Sequence, residues 1–413
     1  MKYIILICDG AADWPIEELG NKTIFEATDT PSLDFLATYG KMGLLQTVPK
    51  GVPPGSEYAN MSILGYNPQK DLTGRGPLEA LSARVPLSDT DIAFRCNLIT
   101  IFQGIIIDYS SGHIPTEEAT PLIEELQQEL GGFGIDFFPG IQYRHILRLD
   151  GKKYSEELKL NPPHDYLNSP YEDFLPIPRP NAIEEGNASK TAELLCRLIK
   201  KSHPILINHP INRTRHQKGQ KMATHIWPWG CGKKPRIKSF KQKYGLEGSV
   251  ISAVDLIFGI GIAAGLEPIH VEGATGLPDT NYHGKITAAL DELKRKDFVY
   301  LHIEAIDEMG HSGDPHKKSA ALRDFDQKIV KPCIDAEPLY NNQIKICVLP
   351  DHPTPCKIRT HTNEPVPFVI YDSLNKPKNA LQRHFSEKNG KDGELGLIES
   401  GEDFMNLFLS SSS

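Results

Sequence analysis

Three short apolar runs in this sequence end in aspartate. Asp9 follows IILIC, Asp307 follows VYLHIEAI and Asp351 follows IKICVLP. Histidines accompany two of them: His311 stands four residues beyond Asp307 in DEMGH, His352 adjoins Asp351, and His361 follows in THTNEPVPF. An i, i+4 spacing puts Asp307 and His311 on one face if a turn of helix starts there. Asp351 and His352 are adjacent on a loop, so their side chains diverge and can serve two neighbouring ions. Hard oxygens mixed with imidazole, without thiolate, suit Mn²⁺, Mg²⁺ or Zn²⁺. Two such ions about 3.5–4 Å apart are the usual device for in-line phosphoryl displacement. Each residue alone has a bland alternative, an aspartate that caps a helix or a histidine satisfied in the core. Together they favour a dinuclear site, because carboxylates gathered at one edge repel unless a cation joins them.

A nucleophile is offered by PPGSEYANMSILGYNP, from Pro53 to Pro68. Prolines cannot continue a strand and serine is a favoured N-cap, so this stretch predicts a loop, then a helix capped by Ser56. The free N–H groups and the dipole there favour an anion, such as a phosphate or an alkoxide. Capping is the commoner job of such a serine, and only the aspartate–histidine set argues for more. Arg75, flanked by glycines in DLTGRGPLEA, is either a surface turn residue or one that an anionic ligand can approach closely. His113, Arg144 and His164 are further candidate substrate contacts with nothing local to support them.

The elements that must hold these residues follow from the pattern. Tyr3–Cys8, DFVYLHIEAID and IKICVLPDH read as buried strands of a parallel sheet, whose C-terminal ends share one ligand-binding edge. SLDFLATYG, closed by Gly40, and GKITAALDELKRK read as helices, GLLQTV as a short strand, and SVISAVDLIFGIGIAAGLEPI as strand, helix, strand. Gly259-Ile260-Gly261 fits helix packing better than a nucleotide loop, and no phosphate-binding loop or dinucleotide fingerprint is present. From about Val85 the texture changes. DIAFRCNLITI and GIIIDYSSGHI predict a hairpin turning at Gln103-Gly104, EEATPLIEELQQEL an amphipathic helix, and residues 151–190 a long loop. THIWPWGCGKKP reads as a short strand ending in a Gly-rich turn. The expected fold is α/β, a mainly parallel sheet between helices over 1–84 and 189–413, interrupted by a smaller α+β domain at 85–188.

A length of 413 residues makes two domains the prior. The net charge of -8 argues against nucleic acid as a partner. No stretch approaches the ~18 apolar residues of a membrane span. Seven scattered cysteines without a C-x-x-C pair fit reduced thiols in a cytoplasm. The tail ends in serines read as disordered.

With these residues in view, the chain resembles the cofactor-independent phosphoglycerate mutases of the archaeal type, members of the alkaline phosphatase superfamily. The blocks CDGAADWP, GSEYANMSILGYNP, TGRGPLEA, FRCNLIT, YRHILRL, AVDLIFGIG, GATGLPDTNY, HIEAIDEMGH, LPDH and HTNEPVPF carry the likeness nearly end to end. It departs from the family pattern at Tyr58, where an aliphatic residue is commoner, and in LEALSARVPL. The resemblance implies an alkaline-phosphatase-like core and a serine, Ser56, that is transiently phosphorylated. It implies Asp9, Ser56, Asp351 and His352 as ligands of one metal ion and Asp307, His311 and His361 as ligands of the other, Mn²⁺ before Mg²⁺ or Zn²⁺. Asp108 matches an acidic residue that assists proton transfer to bound glycerate, and Arg75, Arg144 and His164 match substrate-side contacts. The implied reaction interconverts 3- and 2-phosphoglycerate without a bisphosphorylated cofactor. The rival activities on such a scaffold are a homoserine-kinase-type phosphotransfer and a metal-dependent phosphomonoesterase.

Overall fold

The computed structural model describes residues 1–182, 186–377, 380 and 382–410, so the final serines lie outside the described residues. The chain forms two compact units, Met1–Leu72 with Arg236–Ser413, and Thr73–Pro235.

In the first unit the described residues form an eight-stranded sheet. Its order is Glu267–Ile269, Gly248–Ile251, Phe298–Ile303, Lys2–Cys8, Ile344–Leu349, Val366–Asp372, Lys41–Leu45 and Leu397–Ile398. Neighbours pair in parallel except around Val366–Asp372, which is antiparallel to both of its partners. Lys2–Cys8 lies near the centre because its residues are apolar on both faces: Ile4, Ile5, Leu6, Ile7 and Cys8 are all fully buried. Ile7 pairs with His302 on one side and Leu349 on the other, so Asp9, Asp307 and Asp351 all emerge at one edge. The reversed strand brings its start to that edge, and with it the loop carrying His361. Helices Pro31–Tyr39, Tyr282–Arg295 and Pro315–Phe325 feed Leu33, Leu36, Ile286, Leu293, Leu322 and Phe325 into the core over one face. Helix Asp255–Ala263 packs so closely on Gly248–Ile251 that a Cβ at Gly261 would stand 2.4 Å from Val250 Cγ1, the packing role expected of that glycine pair.

The second unit is antiparallel. Ile92–Phe102 pairs with Ile105–Asp108, Arg144–Leu149 and His225–Lys233, and Ile135–Phe138 pairs with Arg144–Leu149. The hairpin turns where expected, with Gln103 and Gly104 both at positive φ (48° and 80°), the backbone that a tight two-residue turn demands. Helices Thr116–Leu130 and Asn187–Asn208 complete its core.

The unit boundaries differ from the expected 84/85 and 188/189. They fall at 72/73 and 235/236, and packing explains both shifts. Helix Arg75–Ser82 backs onto Ile92–Phe102, where a Cβ at Gly76 would meet the Ala93 carbonyl at 2.6 Å. THIWPWGCGKKP contributes the nine-residue strand His225–Lys233 rather than a short strand and turn, and Leu194, Leu195, Leu198 and Ile199 of Asn187–Asn208 join the same core. Residues expected as one long loop include the short paired strands Leu158–Lys159 and Ile177–Pro178.

Candidate active site

Ser56 is the first residue of helix Ser56–Ile63, not its cap. Gly55, in extended conformation, holds the cap position, its carbonyl accepts from Ala59 N at 3.1 Å, and no side chain caps the helix. The serine hydroxyl is therefore not spent on the helix backbone. Its Oγ lies 3.1 Å from His352 Nε2 instead. One turn on, on the same helix face, Asn60 donates to the Ser56 carbonyl and to Asp351 Oδ2, both at 2.9 Å, and accepts from the buried Tyr300 hydroxyl.

Two sets of side chains converge beyond the strand ends. Asp9, Asp351 and His352 form one, Asp307, His311 and His361 the other, each with its donor atoms within 4.8 Å of one another. The first set is wholly buried. His352 Nε2 is 3.4 Å from Asp351 Oδ2 and 3.7 Å from Asp9 Oδ1, and Asp351 Oδ1 accepts from Gly10 N and His352 N. In the second set, helix Ala305–Ser312 provides the expected shared face: His311 Nε2 lies 3.1 Å from Asp307 Oδ2 and 3.0 Å from His361 Nε2. His311 Nδ1 is 3.0 Å from the Arg359 carbonyl. A carbonyl can only accept, so Nδ1 carries a proton and Nε2 is the nitrogen turned to the cluster.

The electrostatics describe a site short of positive charge. Burial, then the fields of Asp351 and Asp307, push the Asp9 carboxyl well above its ordinary range. Burial works against ionised Asp307 as well, but hydrogen bonds from His311 and His361 hold it well below, and His311 rises to about 9 on Asp307. Asp9 Oδ1 is buried without a hydrogen-bond partner. An orphaned carboxylate oxygen among carboxylates and imidazole nitrogens fits hard divalent cations. Gly10, at φ +63°, is required here, since a Cβ would stand 2.3 Å from Asp307 Oδ1.

Sequence reasoning missed several supports of this site. His302 is buried inside its strand, 3.1 Å from Asp9 Oδ2 and 3.3 Å from the Ser252 hydroxyl. A histidine within the apolar run VYLHIEAI was its signal. Lys318, fully buried, donates to Ala12 O, Asp13 Oδ2 and Thr354 O, tying the loop after the first strand to the loop after Asp351. Nothing in PHKKSAALRDF distinguishes this lysine.

Arg75, Asp108, His113, Arg144 and His164 all belong to the second unit. Arg75 opens a helix rather than sitting in a turn; its Nε lies 2.8 Å from Glu79 Oε1, and it is about a third exposed. Glu79 is buried and shared, since Arg95 Nη1 reaches the same oxygen at 3.0 Å. Arg95 Nε and Trp229 Nε1 both donate to Asn97 Oδ1, and the two guanidinium groups lie 5.9 and 4.9 Å from the Trp229 ring. His164 meets Trp229 edge-on at 5.5 Å, and its basicity is lowered by burial and by Arg95 and Arg75. Arg144 stands 5.2 Å from the Tyr143 ring with its Nε buried and unbonded. His113 packs edge-on against Tyr109 and Tyr143. Glu79 thus feels the charges of Arg95, Arg75 and Arg144 together. Asp108 is different: Lys221 Nζ binds it at 2.6 Å and Ser110 donates to it twice, so that against its burial the carboxyl falls to about 2.

Comparison with known proteins agrees with this chemistry. The family model for 2,3-bisphosphoglycerate-independent phosphoglycerate mutase matches residues 37–212. Relatives carrying that name include one from Methanosarcina barkeri, 46% identical over 402 residues, covering 97% of this chain and 98% of the relative. Another, from Methanothrix thermoacetophila, is 43% identical and covers 99% of this chain and 100% of the relative. Among solved structures, a protein from Pyrococcus horikoshii superposes with a TM-score of 0.81 at 27% identity, covering 100% of this chain and 98% of the other. The cofactor-independent phosphoglycerate mutase from Thermoplasma acidophilum superposes with a TM-score of 0.66 at 25% identity and 99% coverage of both chains. On full-length identity above 40%, the chain belongs to the 2,3-bisphosphoglycerate-independent phosphoglycerate mutase family of isomerases.

Proposed function

We propose that this protein interconverts 3-phosphoglycerate and 2-phosphoglycerate through a phosphoserine at Ser56, without a bisphosphoglycerate cofactor. The observation that carries this reading is the uncapped Ser56 hydroxyl, 3.1 Å from a histidine of a carboxylate–imidazole cluster. Asp9, Ser56, Asp351 and His352 would hold one divalent ion and Asp307, His311 and His361 the other, Mn²⁺ before Mg²⁺ or Zn²⁺. The ions supply Lewis acidity, easing ionisation of the serine and neutralising the transferring phosphoryl group.

In the first half-reaction Ser56 Oγ forms a bond to phosphorus as the bond to the substrate's 3-oxygen breaks. In the second, the 2-hydroxyl of the retained glycerate attacks the phosphoserine and Ser56 leaves. Splitting the transfer through a covalent serine removes the need for a second phosphate donor. The substrate carries a carboxylate as well as a phosphate, and the buried, unbonded Arg144 Nε is a donor suited to such a group. Arg75, Arg144 and His164 are its proposed contacts. Asp108 would handle the hydroxyl proton only once released from Lys221, because a carboxylate held near 2 is a weak base. The partner is thus a small phosphorylated acid, and the step belongs to cytoplasmic glycolysis or gluconeogenesis. Among the described residues no helix is long and apolar enough to cross a membrane.

The test is direct. Purified protein with Mn²⁺ should convert 3- to 2-phosphoglycerate without bisphosphoglycerate, and a rapid acid quench should leave ³²P on Ser56. Turnover only with ATP and homoserine, or phosphate release without isomerisation, would overturn the reading in favour of a kinase or a phosphomonoesterase.

A further inference from the structure

One buried hydroxyl stands between the two ligand sets. Thr354 follows His352 by two residues and is fully buried; its Oγ1 donates to Asp307 Oδ1 and lies 3.3 Å from His352 Nδ1. A threonine hydroxyl has a single proton. With that proton directed at Asp307, Oγ1 can meet His352 Nδ1 only as an acceptor, so Nδ1 is the protonated nitrogen. His352 Nε2 then carries the lone pair, and Nε2 is the atom that faces Ser56, Asp351 and Asp9.

The hydroxyl has little room to do otherwise. Thr354 N donates to Ala12 O, and Thr354 O accepts from the buried Lys318 at 2.8 Å. Glycines close both sides: a Cβ at Gly10 would lie 2.7 Å from Thr354 Oγ1, and one at Gly310 would lie 2.7 Å from Thr354 O. The threonine is wedged between the loop after the first strand and the Asp307 helix.

We propose that Thr354 is a positioning residue that couples the two ion sites, fixing the ligating tautomer of His352 in one set and the orientation of Asp307 in the other. The inference rests on the dinuclear reading given above. It makes the two sites load as a pair, since each ion organises a residue that shares this hydroxyl with the other set.

Thr354→Val keeps the shape and removes the hydroxyl; Thr354→Ser keeps the hydroxyl. Metal-stripped full-length proteins would be titrated with Mn²⁺, with stoichiometry and affinity from calorimetry and ion–ion coupling from electron paramagnetic resonance. Wild type and Thr354→Ser should bind two Mn²⁺ with a spin-coupled spectrum. Thr354→Val should bind at least one ion about 10–100-fold more weakly, with isolated-ion signals at intermediate loading, the usual scale for losing an outer partner of a metal ligand. Its melting temperature in chelator should match that of wild type, which a general loss of structure would not allow. Two Mn²⁺ bound to Thr354→Val with wild-type affinity and coupling would overturn the proposal. Independently of any variant, ¹⁵N spectra of histidine-labelled wild type should show His352 protonated at Nδ1; an Nε2–H tautomer would overturn it. Failure of wild type to bind two ions would remove the dinuclear reading and this inference with it.

Discussion

The sheet-edge cluster of the first unit and the arginine cluster of the second are opposites. Around Asp9, Asp307 and Asp351 buried carboxylates outnumber cations, and an oxygen is left unbonded. Around Glu79 three guanidinium groups crowd one carboxylate, and an Arg144 nitrogen is left unbonded. Burial makes the two unbonded atoms costly, and the function proposed above assigns hard cations to the first region and an organic anion to the second. On the proposed function, the first region would activate phosphate and the second would choose what carries it.

The largest expected effect separates the two at once. Chelation should abolish turnover and Ser56→Ala should lower it by about 10⁴-fold or more, the scale for removing a nucleophile, while 3-phosphoglycerate remains able to quench Trp229 fluorescence. Loss of that quenching on chelation would break the division of labour.

Next comes the tie beneath the metal-ligand loops. Lys318→Met leaves Asp13 buried without its cation and should cost about 3–5 kcal/mol in denaturant unfolding, and Lys318→Met with Asp13→Asn should recover most of that. Equal losses in the single and double variants would mean that packing, not charge pairing, holds these loops.

A smaller effect belongs to the second unit. Glu79→Gln loosens Arg75 and Arg95 and should raise KM for 3-phosphoglycerate about tenfold, as for a lost charged hydrogen bond. Mn²⁺ affinity, set by the other region, should be unchanged. A matching loss of Mn²⁺ binding would blur the contrast.

The smallest is a pH effect. Asp108 lies near 2 in the folded chain against an ordinary 3.8, so its contribution is complete above 3.8 and is lost as pH falls toward 2. Lys221 is half exposed, which leaves on the order of 1 kcal/mol after screening. Asp108→Asn should flatten the acid limb of the stability profile by that amount; an unchanged limb would mean that Lys221 contributes nothing there.

The same contrast explains what was legible in the sequence. The ligand residues announce themselves because a parallel sheet delivers successive strand ends to one edge, so local motifs such as LPDH and DEMGH already carry the geometry. Ser56 was legible as a residue but not as a conformation, because Gly55 could take the cap position instead. The arginine cluster was not legible beyond Arg75 and Arg144. Glu79, Arg95, Asn97 and Trp229 come from a helix and two strands far apart in the chain, and only the pairing of Ile92–Phe102 with His225–Lys233 makes them neighbours. That pairing was missed with the boundary, since a strand containing Pro228, Gly230 and Gly232 reads as a turn.

The place of Lys2–Cys8 in the sheet has a consequence for synthesis. Tyr3 pairs with Phe298 and Lys345, the first translated almost three hundred positions later and the second later still. At about 5–20 residues per second, this largely apolar strand waits roughly 15–60 s for the first of its neighbours. Thr73–Pro235 is continuous and can fold during that interval. Cotranslational protection of the nascent amino-terminal segment, rather than the stability of the finished sheet, is therefore expected to limit the yield of active protein.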